Sequence, residues 1–356
     1  MSADGIALAG VRELADTSLL HRNTLQVPAR AARLFEVDDA SQLPALLAAL
    51  GDMPSMVLGS GSNMLFVDDY PGAIIVLTSR GVLVETEDDT HRVVVAAGEL
   101  WDDFVRWSLT HGLAGLENLI LIPGTVGAAP IQNIGAYGCE VGEYIESVEA
   151  WDRQTASVVS LDHAACRFAY RDSLFKQQPG RYIVTAVRFA LPRHAAPRLD
   201  YAGIPEELER MGVAKPAPVH IAEAVERLRR RKLPDPAVLA NAGSFFKNPI
   251  VSTEFGAILH QQHPGLVSWQ AGRDRHKLSA AWLIEAAGLK GYRDGDAGIA
   301  SRHALILVNH GHATGRQLWA VAQHVMNTVE ARFGLRLEPE PKVIRVPATT
   351  DLPLDS

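Results

Sequence analysis

The sequence LILIPGTVGAAPIQNIGAYGC, residues 119–139, decides the fold of this 356-residue chain. It places Gly124, Gly127, Gly135 and Gly138 among almost purely apolar neighbours, and it contains no Lys, Arg, Asp or Glu. Such a segment is too rich in glycine for a helix interior and too apolar for a loop in water. It predicts buried backbone pressed against a large ligand, because glycine lets main-chain N–H groups approach closely. A tight turn between two core strands is the alternative that the spacing leaves open.

A second loop that contains glycine, GSGSN at 59–63, follows the apolar run 56–58, which predicts a buried strand. A strand that feeds a loop of Gly, Ser and Asn is typical of a phosphate cradle, where N–H groups and hydroxyls solvate a pyrophosphate. The loop matches neither the Walker motif nor G-x-G-x-x-G, so those nucleotide sites are not predicted. A plain turn is the alternative, and the cradle is favoured because residues 119–139 accompany it.

Size, charge and cysteine content exclude several classes of protein. A chain of this length predicts two domains, each with its own core. The net charge of −7, from 34 basic and 41 acidic residues, argues against a general binder of nucleic acid or anionic membranes. Cys139 and Cys166 are the only cysteines, and no HExxH or Cys/His cluster occurs, so neither a disulfide framework nor a metal site is predicted. Residues 1–15 lack a signal-peptide pattern, and no apolar run reaches the ~18 residues of a membrane span, so a cytoplasmic protein is expected.

Hydrophobic periodicity predicts a chain of mixed helices and strands. Ser41 is the expected cap of the first helix, and Gly334 is the expected terminator of the last. A linker is expected at 192–197, where two prolines flank an exposed His194. The predicted helices are 41–50, 99–111, 220–231, 279–288 and 314–333, and the predicted strands are 56–58, 73–78, 92–97, 147–152, 182–190 and 303–309.

Three further motifs contain candidate catalytic residues: FAYRDS at 168–173, GSFFKNP at 243–249 and LEPE at 337–340. By itself, Arg171 is typical of a surface residue, and Ser244 lacks the G-x-S-x-G pattern of a hydrolase nucleophile. Glu338 and Glu340 flank a proline and fit an acid/base pair, a metal site or a solvated strand end. The basic run at 227–232 is typical either of a solvated helix face or of an edge that binds a diphosphate.

In its motifs the chain resembles the UDP-N-acetylenolpyruvoylglucosamine reductases, whose flavin-binding signature is similar to IPGTVGAAPIQNIGAYG. The resemblance runs from Asn23 to Glu340, with the motifs in the order of the family. It implies an α+β fold. An FAD-binding domain of the vanillyl-alcohol oxidase (PCMH-like) type in two subdomains would occupy 17–194, and a C-terminal α+β substrate-binding domain would occupy 195–350. It also implies an NADPH-dependent oxidoreductase with non-covalent FAD, which reduces UDP-N-acetylglucosamine enolpyruvate to UDP-N-acetylmuramate in peptidoglycan synthesis.

The resemblance also implies roles for individual residues. Arg171 and Glu340 would stabilise the enolate that forms on the substrate, and Ser244 would protonate its α-carbon. The resemblance implies that Tyr201 contacts the substrate, and an equal alternative is that this tyrosine only packs in its loop. His303 lies in the substrate region of the family without an assigned role. The implied cofactor-binding residues are Gly59, Ser60, Gly61, Ser62, Asn63, Gly124, Thr125, Gly127, Gln132, Asn133, Gly135 and Tyr137, and the implied substrate-binding residues are Tyr201, Arg229, Lys232 and Asn248.

Two rival functions stay open. A flavin oxidase of the same fold would use oxygen, and relatives of that kind often tether FAD through His or Cys. Residues 112–162 contain no His, and Cys139 is the only thiol near the predicted flavin. A non-catalytic protein that binds a nucleotide sugar is the second rival. A monomer is expected, with two small-molecule substrates as partners and with no metal, nucleic acid or membrane.

Overall fold

The computed structural model describes residues 6, 8–87 and 89–346 of the chain. The α-helices of this part are α1 (Leu43–Leu50), α2 (Trp101–Thr110), α3 (His163–Cys166), α4 (Leu174–Gln177), α5 (Ile204–Arg210), α6 (Pro218–Lys232), α7 (Thr253–Gln262), α8 (Ala280–Ala286) and α9 (Gly315–Phe333). The strands are β1 (Val11–Ser18), β2 (Arg30–Val37), β3 (Ser55–Val57), β4 (Met64–Phe66), β5 (Tyr70–Leu77), β6 (Val82–Glu87), β7 (Thr90–Ala96), β8 (Gly135–Ala136), β9 (Cys139–Glu140), β10 (Ile145–Asp152), β11 (Ser157–Asp162), β12 (Tyr182–Pro192), β13 (Ala240–Ser244), β14 (Ile250–Ser252), β15 (Ser268–Gln270), β16 (Arg275–Leu278), β17 (Arg293–Asp294), β18 (Ala297–Ile299), β19 (Ile306–Asn309) and β20 (Lys342–Ile344).

The chain forms two compact units. The first unit comprises the described residues up to Thr17, together with Ala32–Ser60 and Gly72–Arg231. The second comprises Ser18–Ala31, Gly61–Pro71 and the described residues from Lys232 onward. The domain limits expected from the sequence, 17–194 and 195–350, differ from these units, and residues 347–350 lie outside the described part. Compact units and family domains need not share limits, so the domain limits stay a prediction.

One core of the first unit lies between a four-stranded sheet and α1. The strand order is β1-β2-β5-β3, and β3 runs parallel to β5. Leu43 and Leu46 of α1 are fully buried with Phe35, Val37 and Ile75 of the sheet. Because β3 ends at Val57, the GSGSN loop leaves this sheet at the carboxyl end of its parallel pair.

The other core of the first unit lies against a five-stranded sheet with the order β11-β10-β12-β7-β6, whose neighbouring strands are all antiparallel. Trp101 and Phe104 of α2 pack on Phe189 of β12, with ring centroids 6.2 and 4.9 Å away. Val225 and Leu228 of α6 join the same core. The amino-terminal turn of α2 is thereby fixed, because its Trp101 is completely buried.

The second unit contains a sheet with the order β13-β19-β18-β17, a small sheet β14-β16-β15 and a parallel pair of β20 with β4. Helix α9 buries one apolar stripe that includes Leu318, Val321 and Val325. A capping box of Thr314 and Gln317 begins this helix, and Gly334 ends it with a φ of 68°.

The structure confirms the five predicted helices, with ends displaced by at most two residues, and it also places strands in the six predicted strand regions. The cap predicted at Ser41 is wrong. A short 3₁₀ turn at Ala40–Gln42 precedes α1, and the Asp39 carboxylate accepts a hydrogen bond from the Ser41 N–H group. The linker predicted at 192–197 is wrong at its first residue, because Pro192 ends β12. Among the described residues, no helix combines the length and apolar character that crossing a membrane requires.

Candidate active site

The glycine-rich stretch is attached to the amino-terminal end of α2 in the first unit. The Trp101 indole N–H donates to the Leu119 carbonyl at 2.9 Å, and the Trp101 main-chain N–H donates to the Gly124 carbonyl at 3.1 Å. The Val126 N–H donates to the carbonyl of Glu99 at 2.8 Å. The glycine-rich stretch, which has little regular secondary structure, is therefore fixed by α2, whose first residue Trp101 lies in the core.

Glycine amides of this unit fit an anionic ligand. The N–H groups of Gly59 and Gly124 donate to no acceptor within the described residues. A Cβ atom placed on Gly59 would lie 3.0 Å from Thr125 Oγ1, so the GSGSN loop begins against the glycine-rich stretch. Unpaired main-chain donors beside a hydroxyl are suited to the pyrophosphate of a dinucleotide. Gly127 packs tightly, because its Cβ would lie 2.6 Å from that of Ala97.

At its carboxyl end the stretch is a hairpin. Strands β8 and β9 pair, and the residues between them, Tyr137 and Gly138, have φ values of 50° and 78°. Positive φ at both central positions is typical of a type I′ turn. Asn118, which is buried, donates Nδ2 to the Tyr137 carbonyl at 2.8 Å. These last residues therefore form a tight turn between two short strands, whereas residues 119–134 form no strand.

Asn133 has a φ of 46° and a buried side chain whose polar atoms bind protein groups. Its Nδ2 donates to Glu140 Oε2 at 2.8 Å and to the Ala169 carbonyl at 3.1 Å, while its Oδ1 accepts from the Gly142 N–H at 2.8 Å. The amide thus connects the stretch to the FAYRDS turn. If Asn133 contacts the cofactor, its main-chain atoms would make the contact. Gln132, like Ser60 and Ser62, is half-buried.

Arg171 lies in a tight turn that presents it to the stretch. Ala169 and Asp172 exchange two main-chain hydrogen bonds of 3.0 Å, and Arg171 has a φ of 53°. Its Nη2 donates to the Gly135 carbonyl at 2.6 Å, and Lys176 Nζ donates to the Arg171 carbonyl at 2.7 Å. The structure thus brings together two predicted site residues that are 36 positions apart in the chain.

Tyr137, Tyr201 and Arg229 form a second group in the first unit. The two tyrosine rings meet edge to face with centroids 4.9 Å apart, and Tyr201 remains 42% exposed. Burial raises the pKa of Tyr137, and the Arg229 charge opposes that rise. Arg229 itself is half-buried, and desolvation lowers the pKa of its guanidinium. A half-buried cation near the Tyr137 phenol suits a polar ligand with negative charge.

In the second unit, the segment after Ser244 pairs with the segment that ends at Glu340. Ser244 ends β13 and pairs with Ile306 of β19. The Glu340 N–H donates to the Phe245 carbonyl at 2.8 Å, and the Lys247 N–H donates to the Glu338 carbonyl at 2.9 Å. Lys247 Nζ also donates to Glu338 Oε2 at 2.9 Å. The main chain of the second glutamate of LEPE therefore pairs with the Ser244 motif, while the side chain of the first forms an ion pair.

Asn63 joins this arrangement. Its carbonyl accepts from the Lys342 N–H at 3.0 Å, and its Nδ2 lies 3.5 Å from the Glu340 carbonyl. Gly61 packs closely on the main chain, because an added Cβ would lie 2.0 Å from the Arg22 carbonyl oxygen. Asn23 and Thr24 follow Arg22, and the Thr24 N–H donates to the Gly61 carbonyl at 3.3 Å.

The remaining predicted substrate residues of this unit lie near α8 and β19. Asn248 Oδ1 accepts from the Ala280 N–H at 3.0 Å at the beginning of α8. His303 Nδ1 accepts from the Leu305 N–H at 3.3 Å. Burial lowers the pKa of His303, and the charges of Lys232 and Lys290 lower it further. His303 is therefore close enough to Lys232 to feel its charge.

Sequence patterns did not reveal Asn118, Lys176 and Asp102, which bind the carbonyls or N–H groups of predicted site residues and their neighbours. Their partners lie 19, 5 and 19 positions away, and no local motif marks such contacts. Within the described ranges, no group of three or more His, Cys, Asp or Glu side chains is arranged to hold a metal ion. Cys139 and Cys166 are both free and buried.

Two family models match the chain. Residues 31–162 match a model described as an FAD binding domain. Residues 235–344 match a model described as the C-terminal domain of UDP-N-acetylenolpyruvoylglucosamine reductase.

Similar proteins match over nearly the whole chain. A UDP-N-acetylenolpyruvoylglucosamine reductase of Chromobacterium violaceum is 50% identical over 93% of this chain and 98% of its own length. One of Xanthomonas campestris pv. campestris is 51% identical over 90% of this chain and 93% of its own length. The crystal structure of UDP-N-acetylenolpyruvylglucosamine reductase from Thermus caldophilus is 29% identical, with a TM-score of 0.64 over 94% of this chain and 98% of that one.

Proposed function

Since the chain belongs to the UDP-N-acetylenolpyruvoylglucosamine reductase family, we propose that it reduces UDP-N-acetylglucosamine enolpyruvate to UDP-N-acetylmuramate with electrons from NADPH. It is an FAD-containing oxidoreductase of peptidoglycan precursor synthesis. The α+β fold class, the family and the FAD cofactor expected from the sequence are thereby confirmed. The electron donor and the roles of individual residues belong to the proposal.

In the first unit, FAD would be held by the beginning of the GSGSN loop and by the glycine-rich stretch. The unpaired N–H groups of Gly59 and Gly124 and the Thr125 hydroxyl would bind the pyrophosphate. Bound FAD would supply the hydride that passes from NADPH to the substrate. Gly135 and Tyr137 would provide close-packed backbone at the ring system. This assignment is supported by the fit of neutral donors to a dinucleotide that carries its own negative charge.

Arg171 would stabilise the negative charge that develops on the substrate, and Glu340 would assist by sharing a proton with it. Hydride addition to the terminal carbon of the enolpyruvyl group leaves negative charge shared between the α-carbon and the carboxylate. The Arg171 guanidinium suits that charge because it stays protonated and presents a planar fork of donors. Its bond to the Gly135 carbonyl and the strained turn around it support a fixed position for this group.

Ser244 would deliver a proton to the α-carbon, and this completes the reduction. The observation that supports this role best is the pairing of Phe245 with Glu340, which puts a hydroxyl and a carboxylate on neighbouring segments. A hydroxyl is a weak acid, but a carbanion-like enolate is a strong base, so a positioned serine suffices. Lys232 and Arg229 would bind the diphosphate, while Asn248 and Tyr201 would contact the substrate.

The experiment that tests the proposal follows the flavin absorbance of the purified protein without oxygen. We expect NADPH to bleach the visible flavin band and the enolpyruvyl substrate to restore it. FAD released intact by denaturation would show that its attachment is non-covalent. Restoration by oxygen as fast as by the substrate would favour a flavin oxidase. Binding of the UDP-sugar without any consumption of NADPH would favour a non-catalytic binding protein and would overturn the proposal.

A further inference from the structure

Leu121 stands just before the flavin-binding glycines in a conformation that leucine rarely adopts, with a φ of 59°. Both peptide groups that flank its Cα atom bind charged side chains. Its N–H donates to Asp102 Oδ1 at 2.6 Å, and its carbonyl accepts from Arg229 Nη2 at 3.1 Å. Because φ and ψ of Leu121 set the relative directions of these two groups, the two bonds together fix both angles.

We propose that Asp102 and Arg229 are positioning residues that clamp Leu121 in the left-handed conformation and so hold residues 122–125 where they bind FAD. The inference rests on the proposed flavin site and adds to it two residues that act through the main chain. In this arrangement Arg229 serves the flavin segment in addition to the substrate role implied by the family resemblance.

The clamp is anchored on two helices of the first unit, α2 and α6, which are joined by one ion pair. Asp102 lies in the first turn of α2, where its other oxygen accepts from Arg106 Nε at 2.9 Å. Arg106 Nη2 donates in turn to Glu226 Oε2 of α6 at 3.1 Å. Arg229 lies one turn further along α6 and is half-buried. The Asp102 carboxylate is therefore held by a second charged partner while it binds the Leu121 N–H group.

The clamp is needed because Leu121 is not glycine. A leucine pays a steric cost in the left-handed region that makes it about 5–30 times less populated than the right-handed one. Charge-assisted hydrogen bonds to both flanking peptides offset this preference. Without them, the segment that leads to Gly124 would relax, and the Gly124 N–H would leave the position that suits a pyrophosphate.

The test titrates FAD into the full chain freed of flavin, with binding followed by the quenching of flavin fluorescence. Asp102→Ala should weaken FAD binding about 5–30-fold, and Asp102→Asn should fall between it and the wild type. Asp103→Ala is the matched control, because Asp103 is exposed and lies in the same helix turn as Asp102. The control therefore removes the same charge without removing a partner of Leu121. This control should change the dissociation constant less than about twofold.

Leu121→Gly in the Asp102→Ala background separates a clamp from a general loss of stability. Glycine adopts positive φ without the steric cost, so the double variant should recover FAD affinity to within about threefold of the wild type. A general loss of stability in Asp102→Ala would not be repaired in this way, because glycine at position 121 relieves only the steric cost of the positive φ at that residue. Unchanged affinity in Asp102→Ala, or no recovery in the double variant, would overturn the inference.

A second measurement does not depend on FAD at all. Hydrogen exchange of the Leu121 amide in flavin-free protein should be about tenfold faster in Asp102→Ala than in Asp103→Ala, because only the first loses its acceptor. Equal exchange rates would overturn the clamp. Wild-type protein that takes up no FAD would instead overturn the proposed function, so the two failures are distinguishable.

Discussion

Arg171 has a φ of 53° at the third position of the turn from Ala169 to Asp172, where glycine is usually found. Asn133, Tyr137 and Leu121 are likewise left-handed and lie in or beside the glycine-rich stretch. Strain of this kind persists only where the surrounding structure over-determines the conformation. Here the surroundings are the Gly135 carbonyl, the Lys176 ammonium and the clamp on Leu121, so strain and predicted function coincide in this unit.

Arg171→Gly should separate catalysis from folding. The variant loses the guanidinium that stabilises transient charge, so kcat should fall about 10²–10³-fold. Glycine relieves the positive φ while the bond to the Gly135 carbonyl is lost, and these opposed effects should leave the melting temperature within about 3 °C of the wild type. Turnover and thermal unfolding are measured on the same preparations.

Arg167→Gly is the matched control for that variant. Arg167 is also an arginine in the left-handed region, with a φ of 49°, but it is exposed and lies at the end of α3. Its replacement should leave turnover unchanged. Turnover in Arg171→Gly equal to that in Arg167→Gly would remove Arg171 from the mechanism.

Ser244→Ala should separate the two halves of the reaction. Flavin reduction by NADPH needs no proton from Ser244, so its rate should stay near that of the wild type. Substrate reduction loses its positioned acid, which is worth about 10²–10⁴-fold. Ser244→Cys keeps a donor with a lower pKa and should retain part of the rate. Rapid-mixing absorbance at the flavin band follows each half, with Ser301→Ala, an exposed serine of the same unit, as the control.

The opposite pattern would contradict the assignment of Ser244. A variant that is slow with NADPH and normal with the enolpyruvyl substrate would show that the residue holds cofactor. In that case the pairing of Phe245 with Glu340 would have a structural purpose only.

At the scale of elements, sequence periodicity located the long helices because each buries an apolar stripe between recognisable end signals. Helix α9 shows both, with Thr314 at its beginning, Gly334 at its end and Val321 and Val325 in the core. Short strands gave no such signal. Strands β15, β17 and β18 have two or three residues each, which is too few for an alternating pattern to be distinguished from a loop.

The residues of the candidate site likewise divide into those that local sequence revealed and those that it did not. Motif residues such as Arg171 and Ser244 could be located from local sequence, because the family resemblance is carried by contiguous letters. The partners that fix the site could not, because Asp102 binds a residue 19 positions away and Arg229 one that is 108 positions away. Contacts of that span follow from the packing of α2 and α6, which periodicity alone does not determine.

Gly135→Val should weaken the binding of FAD by disturbing the β8–β9 hairpin. A Cβ at this position would lie 2.9 Å from the Cys139 carbonyl oxygen and 3.0 Å from Arg171 Nη1, so a valine must displace the hairpin or the arginine. Overpacking of this kind should weaken FAD binding about 10–100-fold. Absorbance of the purified protein and FAD titration measure the effect.

Gly265→Val is the control for this change, because a Cβ at Gly265 would meet only Trp282, at 3.7 Å. This variant should purify with the same flavin content as the wild type. Full flavin content in Gly135→Val would show that the hairpin does not contact the cofactor closely.

At the scale of the whole molecule, carboxyl groups with lowered pKa values are unevenly divided between the two units. Within the described part of the chain, only Asp296 of the second unit belongs to this group. Hydrogen bonds from Arg181 lower the pKa of Asp152 to about 2, and those from Arg231 lower the pKa of Glu207. The members in the first unit are Glu13, Asp39, Glu143, Asp152, Glu207 and Glu226.

This division predicts that acid weakens the first unit before the second. A carboxyl whose folded pKa is depressed stabilises the fold above its unfolded pKa, near 4, and this contribution is lost as the pH falls through the folded value. The first unit should therefore lose stability between pH about 4 and about 2. Brief pepsin digestion over that range, with cleavage sites mapped by mass spectrometry, should show early cuts within Ala32–Ser60 and Gly72–Arg231.

Two variants test the cause of this acid sensitivity. Asp152→Asn with Glu207→Gln removes carboxyls that gain protons on unfolding, so the protein should be less stable at neutral pH and lose less stability on acidification. Asp296→Asn, the control in the second unit, should leave the acid response of the first unit unchanged. Cuts that appear first at 232–346 would contradict the prediction, because the unit with fewer depressed carboxyls would then be the more acid-sensitive one.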